Sequence, residues 1–220
     1  MAAIASAAKA RWQNSPLVFP KRGSLALGDM AQVTDAEIVV TAAIEKLGRI
    51  DVLVNSTGTN DFPTLLHKIA LEDIPGILQR CLAAQLLSCR AVLPHMRSAN
   101  SGCIMNIASD AAKIPTPGET VIGAAMAGIV MFTRALAVEG KRNGIRANVL
   151  TPSIVGGTEF YERIMADPFA GKLFGKAVPK AELGLVDMTD LAEIAVFLAS
   201  PAASKMTGQA LSVTGGISAL

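Results

Sequence analysis

The chain has 220 residues, of which 51% are hydrophobic and only 17% are charged, and its formal net charge is +2. Average globular proteins contain about 25% charged residues, so a single domain of this length is expected to cover apolar surface by oligomerising. The small net charge, without runs of Lys or Arg, provides no electrostatic basis for binding nucleic acid or an anionic membrane.

The chain starts with an Ala-rich segment that does not have the pattern of a secretory signal. No basic region precedes its apolar part, and Lys9 and Arg11 interrupt it. At the other end, the uncharged stretch 206–220 is too short to span a bilayer. We therefore expect a cytoplasmic protein that does not insert into a membrane.

Strand and helix patterns then alternate along the chain. "SLALGD" (24–29) predicts a buried strand. The next pattern, 34–48, predicts a helix in which Thr34 and Glu37 are spaced as a capping box and Gly48 ends the helix. The remaining predicted elements are strands at 51–56, 103–109, 145–150 and 210–215 and helices at 71–97, 119–140 and 189–200.

This alternation predicts a single α/β domain with a parallel sheet built from right-handed crossovers. Residues 152–188 are rich in Pro, Gly and scattered charge, which is typical of a variable loop on the substrate side, with a helix around 158–166. Ligands of open α/β sheets bind beyond the carboxyl ends of the strands. The predicted ends are at Asn55–Gly58, Ser109, Thr151–Ser153 and Thr214–Gly216.

Metal binding is not expected from the cysteines and histidines. Cys81, Cys89 and Cys103 lack CxxC spacing, and the chain has only two histidines. We expect the three thiols to be small buried apolar residues.

Four segments resemble motifs of the short-chain dehydrogenase/reductase family, in the family's order. They are "GRIDVLVNSTG" (48–58), "CIMNIAS" (103–109), "GIRANVLTP" (144–152) and "ASKMTGQALSVTGG" (203–216). The resemblance covers about 24–216 and implies a Rossmann-like, doubly wound parallel sheet. It also implies a family of oxidoreductases that use NAD or NADP on alcohols and ketones.

The same resemblance implies that the catalytic groups are absent. The family uses a serine, a tyrosine as general acid/base, a lysine four residues later that lowers the tyrosine's pKa and holds the nicotinamide ribose, and an asparagine. Ser109 matches the serine, but Ile122, Met126 and Cys81 occupy the tyrosine, lysine and asparagine positions. Neither Ile nor Met can exchange a proton. The single tyrosine, Tyr161, lies in the variable loop and is a weak replacement, with Arg163 and Lys172 as its candidate basic partners.

The part of the chain that would bind the cofactor also departs from the family pattern. The Gly-rich turn that receives the pyrophosphate is missing, and residues 1–23 are interpreted as the remnant of a truncated first βαβ unit. Asp29, Asn55 and Gly58 match cofactor-site positions and are interpreted as vestigial. We therefore expect no cofactor in this chain.

The two long predicted helices are apolar around most of their circumference, and in the family they form the main subunit interface. We therefore predict a non-catalytic subunit that assembles with an active relative in a hetero-oligomer. The active relative holds the NAD or NADP, and the complex is expected to be a heterotetramer. Family complexes such as the 2-(α-hydroxybenzyl)succinyl-CoA dehydrogenase of toluene metabolism pair an active subunit with a degenerate one. Two alternatives stay open: an active oxidoreductase with an atypical acid/base residue, and a ligand-sensing protein.

Overall fold

The structure, a computed structural model, describes residues 24–57 and 61–218. Four parallel strands form one sheet in chain order, and each pairs with the next in sequence. The strands are β1 (Val52–Asn55), β2 (Gly102–Ile107), β3 (Ile145–Pro152) and β4 (Ala210–Val213).

Helices precede the first of these strands and connect the others. They are α1 (Val33–Leu47), α2 (Asp73–Leu78), α3 (Ala84–Ala99), α4 (Thr120–Gly140), α5 (Glu159–Ala166), α6 (Ala170–Gly175) and α7 (Met188–Ala199). Short 3₁₀ turns lie at Leu66–Lys68, Asp110–Ala112, Lys141–Asn143, Val178–Lys180 and Pro201–Ala203.

The side chains of β2 alternate between the two faces of the sheet. Ile104 packs with residues of α3 and α4, whereas Cys103 and Met105 pack with Leu198 of α7. Because successive residues of a strand point to opposite faces, the sheet is covered by helices on both sides. This arrangement confirms the predicted Rossmann-like, doubly wound α/β fold.

The first predicted strand is wrong. Residues 24–29 form no strand, and most of them are exposed. A strand requires a neighbour that accepts and donates its backbone hydrogen bonds. Among the described residues the strands of the sheet pair only with one another, and 24–29 have no strand beside them. The proposed remnant at 1–23 lies outside the described residues.

Helix α1 ends as predicted but begins differently. Gly48 terminates it with φ +80°, a left-handed conformation that glycine adopts without strain. At its start the expected capping box is not formed, because the N-cap residue is Gln32 and it makes no side-chain cap. Instead, the Asp35 carboxylate accepts a hydrogen bond from the Asp29 backbone at 2.7 Å.

The long helix predicted for 71–97 is present with one irregularity. Helices α2 and α3 are joined by a π-helical turn, Gln79–Ala83, so the helical run continues from Asp73 to Ala99. One extra residue in such a turn shifts the following side chains around the helix, and π turns occur frequently at functional sites. Cys81 lies in the middle of this turn.

Helix α4 is the central core helix, over almost the span that the sequence predicts. The stretch 120–143 is long and apolar enough to cross a membrane, but half of its apolar 18-residue window is buried inside the protein. Its buried apolar side chains are Val121, Ile122, Ala125, Met126, Ile129, Val130, Leu136 and Ala137. Packing in the chain's own core therefore accounts for most of its apolar character.

A buried polar network ties the two core helices to the sheet. The Asn55 amide donates to Asn106 Oδ1 at 2.8 Å, and its oxygen accepts from Ser88 Oγ at 2.7 Å. Asn106 in turn donates to Thr133 Oγ1 of α4 at 2.8 Å. Every one of these side chains is buried, so each hydrogen bond offsets a desolvation cost.

Removing the middle member of this network is expected to destabilise the fold. Asn106→Ala removes one hydrogen-bond partner from the Asn55 amide and one from the Thr133 hydroxyl, while Asn55 still donates to Cys89 Sγ and Thr133 to Ile129 O. The expected loss is about 1–3 kcal/mol in total. Urea denaturation followed by circular dichroism measures the loss. Thr133→Val is the matched control, because it deletes one bond of the network at nearly constant volume and should lose less. An Asn106→Ala variant as stable as the wild type would contradict this role.

Candidate functional site

A cavity of about 540 Å³ lies at the carboxyl edge of the sheet. Residues that follow three strands line it: Ser56 and Thr57 after β1, Ser109 after β2, and Ser153 after β3. This is the edge at which the sequence places a ligand. The volume is within the range of small-molecule sites, about 300–1,000 Å³.

The segment 152–188 forms one wall of this cavity. Thr158 accepts a hydrogen bond from the Tyr161 backbone at 3.0 Å and thereby caps helix α5, which lies close to the predicted 158–166. The side chains that this segment places along the cavity are Ile154, Val155, Thr158, Phe160, Tyr161, Ile164, Leu173, Phe174, Ala177 and Lys180.

Helix α4 supplies the opposite wall, and there the cavity is apolar. Ile122 and Met126 both line it and both are at least nine-tenths buried. Ser109 lines the same cavity, and its Oγ accepts a hydrogen bond from the Ala111 backbone at 3.2 Å. The structure therefore brings Ser109 together with Ile122 and Met126, the two residues predicted to replace the tyrosine and lysine.

Cys81 lies behind this wall and does not line the cavity. Its side chain is 1% exposed and belongs to the same apolar cluster as Ile122 and Met126. The three cysteines are all buried, as predicted. Burial raises the pKa of the Cys89 thiol to about 12, and the hydrogen bonds that this thiol makes with Asn106 and Asn55 act in the opposite direction.

The three residues matched to the cofactor site have different surroundings. Asn55 is buried in the polar network described above. Asp29 is exposed, and its carboxylate accepts a hydrogen bond from the Ala31 backbone at 3.0 Å, which orders the turn before α1. Gly58 lies outside the described residues. Within those residues, no group of three or more His, Cys, Asp or Glu side chains could hold a metal ion.

Two carboxylates in the cavity, Asp110 and Glu119, were not singled out from the sequence. Asp110 is 5% exposed, and its Oδ2 accepts a hydrogen bond from Ser218 Oγ at 2.6 Å. Burial raises the pKa of Glu119; a hydrogen bond with Thr116 opposes this shift, and the charge of Asp110 adds to it. The position of Asp110 directly after Ser109 was the signal available in the sequence.

Tyr161 also lines the cavity. Its side chain packs in an apolar cluster of the 152–188 segment with Ile154 and Ile164. The candidate partner Arg163 lies over the ring of Phe62, 5.3 Å from the ring centroid. The other candidate, Lys172, is exposed.

Comparison with known proteins places this chain in a family. Residues 5–218 match the profile of the family described as Enoyl-(Acyl carrier protein) reductase. The chain belongs to the short-chain dehydrogenase/reductase family. A 3-oxoacyl-[acyl-carrier-protein] reductase of Chlamydia pneumoniae is 35% identical over 198 residues, which are 88% of this chain and 76% of that protein. The 2-(R)-hydroxypropyl-CoM dehydrogenase of Xanthobacter autotrophicus is 29% identical over 87% of this chain and 76% of its own length.

Solved structures agree on the fold. The NADP-bound structure of ElxO aligns with a TM-score of 0.83 at 23% identity, over 95% of this chain and 84% of that one. A short-chain dehydrogenase/reductase from Burkholderia xenovorans aligns with a TM-score of 0.81 at 28% identity, over 88% and 74%.

Proposed function

We propose that this chain is a non-catalytic subunit of a short-chain dehydrogenase complex. It assembles with an active relative in a hetero-oligomer, as a heterotetramer in the cytoplasm, and stabilises that relative or shapes its substrate pocket. The partner holds the NAD or NADP and acts on an alcohol or ketone group, including such a group in the acyl chain of an acyl-CoA.

The observation that carries this proposal is the apolar wall of the cavity. Ile122 and Met126 occupy the positions at which family members have the tyrosine and the lysine, and both side chains line the cavity. General acid/base chemistry requires a group that exchanges a proton within hydrogen-bond reach of the substrate oxygen. Ser109, which remains in place, can orient an oxygen, but the side chains of Ile122 and Met126 offer it no proton donor or acceptor.

The same two residues bear on cofactor binding. A lysine at position 126 would donate hydrogen bonds to the nicotinamide ribose, whereas the Met126 thioether has no proton to donate. One oxygen of the exposed Asp29 carboxylate accepts a hydrogen bond within its own turn. The lack of a donor at Met126 supports a chain that does not hold a nicotinamide cofactor at this wall.

The outer surface of α4 supports the assembly part of the proposal. An apolar stripe runs along its exposed side, which we call the α4 stripe. It consists of Ala124, Ala127, Met131, Ala135 and Val138. Leu82 of the neighbouring π turn lies beside it, because a Cβ at Gly128 would lie 3.2 Å from Leu82. Exposed apolar surface that is continuous along a helix is typical of a subunit contact.

The isolated chain is expected to bind neither NADPH nor NADH at micromolar concentration. Isothermal titration calorimetry of the purified chain measures this, with ElxO, whose solved structure holds NADP, as the positive control. A micromolar dissociation constant would contradict the part of the proposal that places the nicotinamide cofactor only in the partner.

The relatives provide one reason to keep a second candidate function. They are named as reductases and dehydrogenases, so this chain could be an active oxidoreductase in which another cavity residue replaces the tyrosine. Turnover separates the two functions: oxidation of NADPH by the purified chain in the presence of acetoacetyl-CoA would support the active enzyme. Activity that appears only in the hetero-oligomer, and survives Ser109→Ala in this chain, would support the non-catalytic subunit.

A further inference from the structure

The chain that follows β4 forms part of the cavity lining. We call residues 214–218 the 214–218 strap. It is a closed turn: Thr214 Oγ1 donates a hydrogen bond to the Ser218 carbonyl at 2.8 Å, and the Ile217 N–H donates to the Thr214 carbonyl at 3.2 Å. Ile217 and Ser218 both line the cavity. The strap therefore has a defined shape where it borders the cavity.

One end of the strap is attached to the turn that follows β2. Ser218 Oγ donates a hydrogen bond to Asp110 Oδ2 at 2.6 Å. Asp110 is buried, and its own carbonyl accepts hydrogen bonds from the N–H groups of Lys113 and Ile114 at 2.8 and 2.9 Å. Hydrogen bonds to an ionised carboxylate are about twice as strong as neutral ones. Asp110 is therefore an anchor whose position is fixed by the end of the sheet.

The same strap is attached to the 152–188 segment on its other side. The Leu183 N–H donates a hydrogen bond to the Gly215 carbonyl at 3.0 Å, and Ile217 packs with Phe160 in the apolar cluster of that segment. Gly215 has φ +63°, and a Cβ there would overlap the carbonyl oxygen of Gly184. Such a close approach of two backbones requires glycine. The strap therefore joins the 152–188 wall of the cavity to Asp110.

The helices of this wall have few other attachments to the rest of the fold. The most extensive contacts of α5 are with α6, and those of α6 are with α5 and the turn at Val178–Lys180. Across the cavity, Phe62 contacts α5 through Phe160, with ring centroids 5.9 Å apart, and through Arg163. Segments with few contacts to the core open locally at a lower cost in free energy than core strands do. The strap is therefore placed where it controls such an opening.

We propose that the 214–218 strap is a clasp that holds the 152–188 segment closed over the cavity. The hydrogen bond from Ser218 to Asp110 is the contact that breaks when this wall opens. Closure and release of a wall around a ligand site is a common form of conformational control. In this chain, access to the cavity then depends on two side chains outside the set that the family uses for catalysis. This proposal goes beyond the proposed function and requires neither a cofactor nor a partner.

Ser218→Ala tests the clasp. Hydrogen exchange followed by mass spectrometry measures local opening, and the comparison is made between variants at one protein concentration. Loss of a hydrogen bond to a carboxylate is expected to make the amides of 159–186 exchange about tenfold faster, with β2 and β3 unchanged. Ser204→Ala is the matched control, because Ser204 is exposed in the turn between α7 and β4. Wild-type exchange of 159–186 in Ser218→Ala, an equal increase in β2 and β3, or the same increase in Ser204→Ala overturns the proposal.

A double-mutant cycle shows whether Ser218 acts through Asp110. Asp110→Ala alone should accelerate exchange of the same 159–186 amides. When Ser218→Ala is added to Asp110→Ala, the further increase should be less than about twofold, because the partner of the hydroxyl is already absent. A further increase of about tenfold would show that Ser218 holds the wall through a different contact, and would overturn the clasp. Failure here is distinguishable from failure of the subunit proposal, since the isolated chain is measured.

Discussion

Replacing Ile129 with aspartate is expected to unfold the chain. Ile129 is 0% exposed and lies in the apolar cluster between α4 and the sheet. A buried carboxylate with no partner costs about 3–5 kcal/mol, and a typical domain is stable by only about 5–15 kcal/mol. Urea denaturation followed by circular dichroism should show a large fall in the transition midpoint or no folded baseline at all.

A smaller change at the same position provides the control. Ile129→Val removes one methylene group and should cost only about 0.5–1.5 kcal/mol. From the sequence alone, this residue could face either a partner subunit or the sheet, and the structure decides for the sheet. If Ile129→Asp kept the wild-type midpoint, the side chain would have to lie on the surface of the helix.

The sequence predicts most of the secondary structure because its signals are local. The apolar period of α4 and the glycine after α1 each act within a few residues, and both elements appear where predicted. The prediction of a strand at 24–29 was wrong because a strand depends on a neighbouring strand elsewhere in the chain. The π turn at Gln79–Ala83 also has no local signal, since its sequence is as helical as the residues on either side.

The candidate site was predictable only in part, for a related reason. Strand ends can be read from the sequence, and so Ser109 and the edge of the sheet were found. Burial depends on tertiary packing, so nothing in the sequence distinguishes Glu119 from the other acidic residues, and the only signal for Asp110 is its position directly after Ser109. Likewise, the shift of Glu119 toward a higher pKa arises mainly from desolvation, which only the folded chain produces.

The structure also moves the proposed subunit contact to different residues. Most apolar side chains of α4 are occupied by the chain's own core, so they cannot face a partner. What remains for assembly is the α4 stripe, in which Met131 and Val138 are each 62% exposed. A contact through this stripe is therefore the prediction with the greatest consequence for the proposed function.

Met131→Asp is expected to prevent assembly without unfolding the chain. Co-expressed with its active relative, the wild-type chain should give a defined hetero-oligomer, whereas the variant should give separate subunits by light scattering at low micromolar concentration. The physical reason is that a fully buried Met contributes about 1.5–3 kcal/mol, and a charge placed in an apolar contact opposes it further. Circular dichroism of the variant should match the wild type, because this side chain is solvent-exposed in the single chain.

Leu183→Asp is the matched control for this experiment. Leu183 is 88% exposed and lies in the 152–188 segment, away from α4, so the same change in charge and polarity should leave the complex intact. The lone wild-type chain is expected to self-associate, because its α4 stripe is then uncovered. A stable monomer of the lone chain, or a hetero-oligomer that forms equally well with Met131→Asp, would contradict the subunit proposal. A stable monomer would show that the α4 stripe does not need to be buried by a partner. A hetero-oligomer that forms with Met131→Asp would show that the subunit contact does not involve this stripe.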